Sequence, residues 1–406
     1  MQAEYDIIIV GGGLTGASLA ACLANAPARV AVIEAVPINS GRQPSYDEKG
    51  LALSLSSQRI FSAIGIWPAL RRQAVPIEHI HVSDRGRFGF VRLHADEADL
   101  PALGYVVIAR ELGAALLGSM AAADNVDFIC PAGVTAVNQQ EHGVSVEIDR
   151  DGNREALSGR LLVVAQGSHS TLREAAGIRT VTKDYRQTAV VCNVTPERPH
   201  ANTAYERFTA SGPLALLPLS DQRCALVFTV PSEAKDRCLA MPDGEFLSEL
   251  ERRFGRRLGR FLKAGRRRSY PLALMTSEEQ IRERTVYLGN TVHTIHPNGA
   301  QGFNLCLRDV AGLAETLDRA MQRGADPGRR EVLESYYALR RADQRRVIRF
   351  SDSLAETFYR TGRARAAARN TGMLIMDLVP EIKKALIKQA TGLGAGQPRL
   401  VYGLDR

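Results

Sequence analysis

The 406-residue sequence has little cysteine, one tryptophan and no long apolar run. Its six cysteines form no Cys-x-x-Cys pair, which argues against a zinc or dithiol site and favours a reducing cytoplasm. No apolar stretch approaches the roughly 18 residues that a membrane-spanning helix needs, and the N-terminus lacks a signal-peptide pattern. We therefore expect a cytoplasmic globular protein of two or three domains.

Positive charge is concentrated in two segments. The net charge is +8, but residues 251–268 hold nine Arg or Lys against one Glu, and residues 340–369 hold nine Arg against three acids, so the remaining chain is acidic. Such segments are either solvated helix faces or contact surfaces for an anionic partner, such as a membrane face or an acidic protein. No base-reading or stacking motif accompanies the charge, so we expect no nucleic-acid partner.

The first glycines have the spacing of a dinucleotide-binding turn. An apolar strand at residues 7–10 leads into Gly11, Gly13 and Gly16, and a helix and a second strand follow, ending at Glu34. The first glycine permits the tight turn, the second lets the backbone approach a pyrophosphate, and the third lets the helix pack on the strand. Glu34 lies 18 residues after Gly16, which predicts binding of the ribose hydroxyls of FAD or NAD rather than NADP.

Two later strands also run into glycine-containing turns. Residues 161–165 form an apolar run before Gln166, as buried parallel strands do. Residues 286–289 lead to Asn290, a glycine-rich loop and a helix. This pattern predicts a dinucleotide-binding domain built from separate pieces, with an antiparallel sheet inserted between them. Periodicity further predicts helices over 51–66, 110–122, 246–263, 302–322 and 329–360, and short strands over 77–94 and 185–230.

The order of the three motifs resembles that of the FAD-dependent aromatic hydroxylases of the para-hydroxybenzoate hydroxylase fold. The resemblance covers nearly the whole chain. Stretches at residues 81–86, 206–218, 270–274 and 302–305 are most similar to the ubiquinone-biosynthesis branch of that family, in particular to the 2-octaprenyl-6-methoxyphenol hydroxylases.

The resemblance implies an α/β fold with a Rossmann-like FAD-binding domain, an inserted antiparallel β-sheet substrate domain and a helical C-terminal region. The implied boundaries are residues 1–75, 100–180 and 275–340 for the FAD-binding domain, 76–99 and 181–274 for the substrate domain, and 341–406 for the helical region.

The implied reaction is the hydroxylation of a polyprenylated phenol. NADH or NADPH would reduce FAD, and O2 would then give a flavin C4a-hydroperoxide that hydroxylates the ring. The implied partners are the polyprenyl-phenol substrate, an anionic surface on the inner membrane face and a quinone-biosynthesis protein complex. No metal site and no catalytic residue is assigned.

The residues that match the cofactor-binding positions of the family fall into three groups. They are Gly11, Gly13, Leu14, Thr15, Gly16 and Glu34 at the ADP end; Lys49, Arg110, Gln166, Gly289 and Asn290 at the pyrophosphate and ribityl chain; and Pro297, Ala300, Gln301, Gly302 and Asn304 beside the isoalloxazine ring.

Four of these positions depart from the family pattern. Gln166 and Asn290 stand where Asp is usual, Lys49 where Arg is usual, and Ala300 where Gly is usual. Three of them, Gln166, Lys49 and Ala300, motivate a second hypothesis, a flavin-fold assembly subunit with little or no catalysis. A third hypothesis is a flavin reductase or an isoprenoid desaturase on the same fold.

The remaining polar candidates have plainer interpretations. We expect His293 and His296 to be packing residues rather than metal ligands, because no acid or cysteine lies near them in the sequence. Tyr205 and Glu206 either line the substrate pocket or are ordinary strand residues. The sequence does not place a protein base against the phenol.

Overall fold

The computed structural model describes residues 4–24, 26–38, 48–359, 362–394 and 396–403. The strands in this part of the chain are β1 Tyr5–Val10, β2 Val30–Ile33, β3 Gly50–Ser54, β4 Val75–Ile77, β5 His79–Asp84, β6 Phe90–His94, β7 Gly104–Ile108, β8 Val126–Ile129, β9 Gly133–Gln140, β10 Gly143–Arg150, β11 Asn153–Val164, β12 Thr180–Pro196, β13 Thr203–Thr209, β14 Gly212–Pro218, β15 Cys224–Pro231, β16 Phe261–Ala264, β17 Arg268–Ser277, β18 Ile281–Arg282, β19 Thr285–Tyr287 and β20 His293–Thr294.

The α-helices in the same residues are α1 Leu14–Leu23, α2 Leu55–Ala63, α3 Trp67–Leu70, α4 Ala109–Ala121, α5 Thr171–Ala175, α6 Lys235–Ala240, α7 Asp243–Phe254, α8 Gln301–Gln322, α9 Arg330–Tyr359, α10 Arg363–Leu378 and α11 Pro380–Thr391.

A parallel sheet forms the centre of the dinucleotide-binding half. β1 lies between β2 and β11, β8 flanks β2, and β19 flanks β11, all in parallel. The strand residues Ile7, Ile9, Val32 and Val163 are fully buried, because a parallel sheet is covered on both faces. The carboxyl ends of β1, β11 and β19 therefore lie side by side at one edge, and each is followed by one of the glycine-containing turns.

A second, mostly antiparallel sheet has the order β20-β17-β12-β15-β14-β13-β5-β6. Helix α7 covers one face, where Phe246 and Leu250 pack with Leu226 of β15. On the other face, Ala204 and Val106 share an apolar cluster that joins β13 to the small sheet β3-β7-β4. The predicted fold class is confirmed, with its inserted antiparallel sheet and helical C-terminal region, and the predicted domain boundaries stay a prediction.

Two of the predicted helices are wrong in their extent. Residues 50–54 form strand β3, and helix α2 begins only at residue 55, where the Ser54 side chain accepts the N–H of Ser57. The helix predicted over 246–263 ends at residue 254, because Gly255 has φ +89° and ends the helical conformation. A serine cap and one left-handed glycine thus override the apolar periodicity at these two places.

Helices α8 and α9 are joined by a buried ion cluster. Arg340 donates to Asp309 (2.8 Å) and to Asp343 (2.6 Å), and Arg308 donates to Asp343 (2.9 Å). All four side chains are at most 6% exposed. The two arginines hold the pKa of Asp343 well below its usual range. The cluster fixes the helix that follows the third glycine-containing turn against the C-terminal helices.

Replacing Arg340 by Ala is expected to lower the free energy of unfolding by about 3–5 kcal/mol, because the buried carboxylates of Asp309 and Asp343 would each lose a cationic partner. The matched control is Arg330→Ala, which removes an exposed pair with Glu334 on the same helix and should leave stability unchanged. Chemical denaturation of both variants measures the difference. Equal stabilities for the two variants would contradict this account of the cluster.

Candidate functional site

The three glycine-containing turns meet at the carboxyl edge of the parallel sheet. A Cβ added at Gly11 would lie 2.5 Å from the carbonyl oxygen of Ala165, at the end of β11. A Cβ added at Gly289 would lie 2.8 Å from the side chain of Thr15, in the first turn of α1. Asn290, the next residue, is exposed at the same edge. The first turn therefore contacts the second and the third, and both contacts require glycine.

Helix α1 presents its N-terminus at this edge. It begins at Leu14, and its N-cap residue, Gly13, provides no side-chain cap to the helix. A Cβ added at Gly16 would lie 1.9 Å from the carbonyl oxygen of Gly11, so the helix packs directly on the turn. Free N–H groups and the helix dipole at such an end bind phosphate. This geometry fits the pyrophosphate of a dinucleotide.

Glu34 lies at the end of β2, beside the first turn. One carboxylate oxygen accepts the N–H of Gly12 and the other accepts the N–H of Val36, both at 2.7 Å. Each oxygen of a carboxylate has a second lone pair. The fixed carboxylate therefore remains able to accept hydrogen bonds from ribose hydroxyls.

Gln166 caps the short helix α5. Its Oε1 accepts hydrogen bonds from the Ser170 hydroxyl (2.8 Å) and from the N–H of Leu172 (3.1 Å). Ser170 is the N-cap of the helix and accepts the N–H of Arg173. Arg173 is buried and donates to the carbonyl of Thr291 (3.0 Å). An amide oxygen performs this capping as a carboxylate would, so the departure at Gln166 leaves the second turn intact.

The sequence analysis missed Arg173, Thr291 and Asn298. The hydroxyl of Thr291 accepts the N–H of Gly167 at 3.1 Å, which ties the second turn to the third. Arg173 and Thr291 carry no motif, because their importance comes from contacts between segments more than a hundred residues apart.

Lys49 and Arg110 are both exposed. The Lys49 ammonium lies 4.9 Å from the centre of the Tyr270 ring, which belongs to the second sheet. Arg110 pairs with Glu48 and with Glu111. Residues 39–47 lie outside the described residues. Contact between these two cations and the cofactor stays a prediction.

The loop before α8 has a left-handed backbone at two consecutive residues. It runs from Pro297 through Gly299 (φ +64°) to Ala300 (φ +51°). Gln301 donates from its side chain to the carbonyl of Gly299 (3.1 Å), and Gly302 is already within the helix. A left-handed conformation costs a non-glycine residue about 1–2 kcal/mol. Ala300 therefore adopts the conformation for which the family uses glycine.

Asn304 holds this loop in place. Its Oδ1 accepts the N–H of Ser54 (2.8 Å) and the hydroxyl of Ser57 (2.7 Å). Its Nδ2 donates to the carbonyls of Ala52 (2.9 Å) and Ala300 (2.7 Å). The amide group has used its two donors and two acceptor positions. We therefore propose that Asn304 positions the loop and does not bond the cofactor directly.

The histidines of the third turn are buried. Nε2 of His293 lies 2.8 Å from Oδ2 of Asp309, so the fold brings to this histidine an acid that is distant in the sequence. The acid was missed because it lies 16 residues further along the chain, on α8. Burial lowers the pKa of His296 to about 4. The described residues contain no group of three His, Cys, Asp or Glu side chains that could hold a metal.

A cavity of about 340 Å³ adjoins the loop before α8. Its aromatic and polar lining includes Lys183, Tyr185, Phe208, His296, Asn298 and Phe358. His296 and Asn298 are each 1% exposed, and Nε2 of the histidine and both amide atoms of the asparagine have no hydrogen-bond partner in the protein. Buried polar atoms of this kind point to a ligand with polar groups. The rings of Phe208 and Phe358 stack in parallel, so an aromatic ligand fits beside them.

Comparison with known proteins agrees with this geometry. Residues 4–351 match the model of a family described as "FAD binding domain". The chain belongs to this family. It is 37% identical over 402 residues to the ubiquinone hydroxylase UbiL of Rhodospirillum rubrum, which covers 98% of this chain and 93% of that protein. It is 30% identical over 395 residues to the 3-demethoxyubiquinol 3-hydroxylase of Escherichia coli, covering 96% and 98%.

The fold has a counterpart among solved structures. The p-nitrophenol 4-monooxygenase PnpA of Pseudomonas putida superposes with a TM-score of 0.80 at 16% identity, covering 96% of this chain and 99% of that chain. Family membership confirms the predicted resemblance and the FAD cofactor. It also confirms that the protein is of the class of flavin-dependent monooxygenases, which use NAD(P)H and O2.

Replacing Gly289 by Ala is expected to abolish retention of FAD during purification, because φ is +68° and the new methyl group would meet Thr15. The control is Gly118→Ala on α4, where an added Cβ meets no atom within 4 Å. The flavin absorbance per protein measures occupancy in both. Full occupancy in Gly289→Ala would contradict the proposed contact between the first and third turns.

Proposed function

We propose that this protein is a FAD-dependent monooxygenase that hydroxylates the ring of a polyprenylated phenol in ubiquinone biosynthesis. The observation that carries the proposal is the aromatic and polar cavity beside the loop that leads into α8. When bound, FAD supplies the chemistry, taking electrons from NADH or NADPH and activating O2. The two relatives named as hydroxylases of ubiquinone or its precursor support this substrate class.

The protein residues would hold and tune the cofactor. The first turn and α1 would bind the ADP part, with Glu34 on the ribose hydroxyls. The N-terminus of α8, a helix of 22 residues, would lie beside the flavin ring. The positive end of a helix dipole stabilises negative charge that develops near it. The cavity would keep the phenol ring close to the flavin and away from bulk water.

Two of the observations that motivated the assembly-subunit hypothesis no longer support it. Gln166 accepts hydrogen bonds from Ser170 and Leu172 at the start of α5. Ala300 adopts the left-handed backbone that the loop requires. Neither departure disrupts the turn in which it lies. We therefore favour the enzyme over the subunit without catalysis.

The test is an oxygen-incorporation assay on the purified protein. We expect a yellow protein whose NAD(P)H oxidation is stimulated by a polyprenyl phenol, with one atom of labelled O2 recovered in the product. A colourless and inert protein would support the assembly subunit. Phenol-stimulated NAD(P)H oxidation that leaves no label in the organic product would support a reductase or a desaturase.

Some arginines of the two basic segments, residues 251–268 and 340–369, contact other parts of the fold. Arg340 belongs to the buried ion cluster, Arg253 lies over the ring of Phe228, and Arg369 pairs with Asp84. These arginines join elements of the fold and do not form a contact surface. The interpretation as structural helix residues therefore accounts for part of the charge.

We further propose that the hairpin of α10 and α11 lies on an anionic membrane surface, with a quinone-biosynthesis protein complex as the second partner. Ile375, Leu378 and Ile382 are 48%, 73% and 37% exposed around the turn between the two helices. The exposed Lys384 and Lys388 follow on α11. Exposed apolar side chains beside lysines suit an interface with anionic lipid. Within the described residues, no helix is long and apolar enough to cross a membrane.

Replacing Leu378 by Asp is expected to weaken binding to phosphatidylglycerol vesicles at least tenfold in a flotation assay. It removes apolar contact and adds a charge that anionic lipid repels. Val181→Asp is the matched control, since Val181 is 61% exposed on the second sheet. Equal binding of both variants, or no binding of the unmodified protein at low salt, would contradict the proposed surface.

A further inference from the structure

Glu206 is a residue of β13, and its carboxylate contacts the loop before α8. We infer that its carboxylate takes the hydroxyl proton of the bound phenol, so that Glu206 is a catalytic base of the reaction. This role rests on the proposed hydroxylation. It extends that proposal by naming the group that converts the substrate to the more electron-rich phenolate.

The alternation of side chains along β13 directs Glu206 toward the FAD-binding half. Ala204 belongs to the apolar cluster shared with the small sheet, and Phe208 stacks on Phe358 of α9. Tyr205 packs on the opposite face, in the cluster under α7. Since alternate residues of a strand share a face, Glu206 lies on the same face as Ala204 and Phe208.

The carboxylate accepts a hydrogen bond from the loop. The N–H of Gly299 donates to Oε2 of Glu206 at 3.3 Å. Its partners on the neighbouring strands are Val82 of β5 and Ala215 of β14. Burial raises the pKa of Glu206 to about 7, and the Gly299 amide offsets only part of this effect. A base works best when its pKa lies near the operating pH.

Two residues close to Glu206 line the cavity. Phe208, the next residue on the same face, lines the cavity, and so does Asn298, the residue before Gly299. Both polar atoms of the Asn298 amide are buried and without a partner in the protein. The asparagine can therefore donate a hydrogen bond to the phenol oxygen while Glu206 accepts its proton.

The proposed proton transfer from the phenol to Glu206 requires no oxidant or reductant. The phenol O–H bond breaks, its electron pair stays on oxygen, and a new O–H bond forms on the Glu206 carboxylate. The phenolate charge is then stabilised by the Nδ2–H of Asn298. Glu206 later loses the proton to solvent and returns to its starting form.

Other ionisable groups around this position are paired, neutral or, like Arg207, permanently charged near pH 7, and burial raises the pKa of Tyr185, which lines the cavity, above its usual range. His296 has its pKa lowered to about 4 by burial. Across the cavity, Lys183 is paired with Asp352 and Glu356. At the end of β5, Asp84 is paired with Arg369. The groups on the opposite face of the sheet are Arg207 and His81, and burial lowers the pKa of His81 to about 4. A transition near pH 7 is therefore assigned to Glu206.

The test compares Glu206→Gln and Glu206→Asp with the matched control Glu245→Gln, which changes an exposed glutamate of α7. We expect Glu206→Gln to keep its FAD and its rate of reduction by NAD(P)H. Its kcat for hydroxylation should fall about 100-fold or more, as for loss of a general base. The rise of kcat/KM with pH through about 7 should disappear, and Glu206→Asp should restore part of the rate.

Thermal unfolding across pH provides a fold control. The folded protein keeps the Glu206 proton up to about pH 7, whereas the unfolded chain releases it near 4.5. The unfolded state thus binds fewer protons in this window, so the carboxyl lowers stability as pH rises. Glu206→Gln should therefore be at least as stable as the unmodified protein at pH 8.

Two results would overturn the inference, and they differ in what else fails. An active protein whose Glu206→Gln variant keeps kcat within threefold, or keeps the transition near pH 7, would overturn the role of Glu206 alone. An unmodified protein that retains FAD but forms no hydroxylated product would overturn the proposed function and this role together.

Discussion

The close approach of three backbone turns at one sheet edge is the constraint on which the rest of this structure depends. Gly16 must pack on the carbonyl of Gly11, Gly11 on the end of β11, and Gly289 on the first turn of α1. Each contact leaves no room for a β-carbon. Because β1, β11 and β19 are parallel neighbours, the order of the strands brings the three turns together, although they are separated by more than a hundred residues.

A second constraint keeps the third turn aligned with the other two. The buried cluster of Arg308, Asp309, Arg340 and Asp343 joins α8 to α9, and His293 of the turn contacts the same Asp309. Burying charges is costly unless they are paired in good geometry. The cluster therefore specifies one position for α8, whose N-terminus and preceding loop are the proposed ring end of the site.

The second sheet completes the site from the other side. Its face toward the FAD-binding half is mostly apolar, and Glu206 brings one carboxylate to the loop before α8. Phe208, Tyr185 and Asn298 then line the adjoining cavity. The proposed cofactor and substrate sites thus meet at a loop of four residues, 297–300, which both halves of the protein contact.

The sequence predicts the parts of the fold that local chemistry dictates. The glycine spacing and Glu34 at the end of β2 predict the ADP end, because each of these residues has a role that its type alone explains. Strand β3 was missed because a serine cap at Ser54, and not apolar periodicity, sets the start of α2. The contacts of Gly167 with Thr291 and of His293 with Asp309 depend on tertiary structure, which no local pattern reveals.

The most direct test of the central claim is an experimental structure of the protein with FAD bound. The account predicts the pyrophosphate at the N-terminus of α1, the adenosine ribose within hydrogen-bond distance of Glu34, and the flavin ring between the loop at residues 297–300 and the second sheet. FAD bound elsewhere, or contacting only one of the three turns, would contradict the claim that they form a single site.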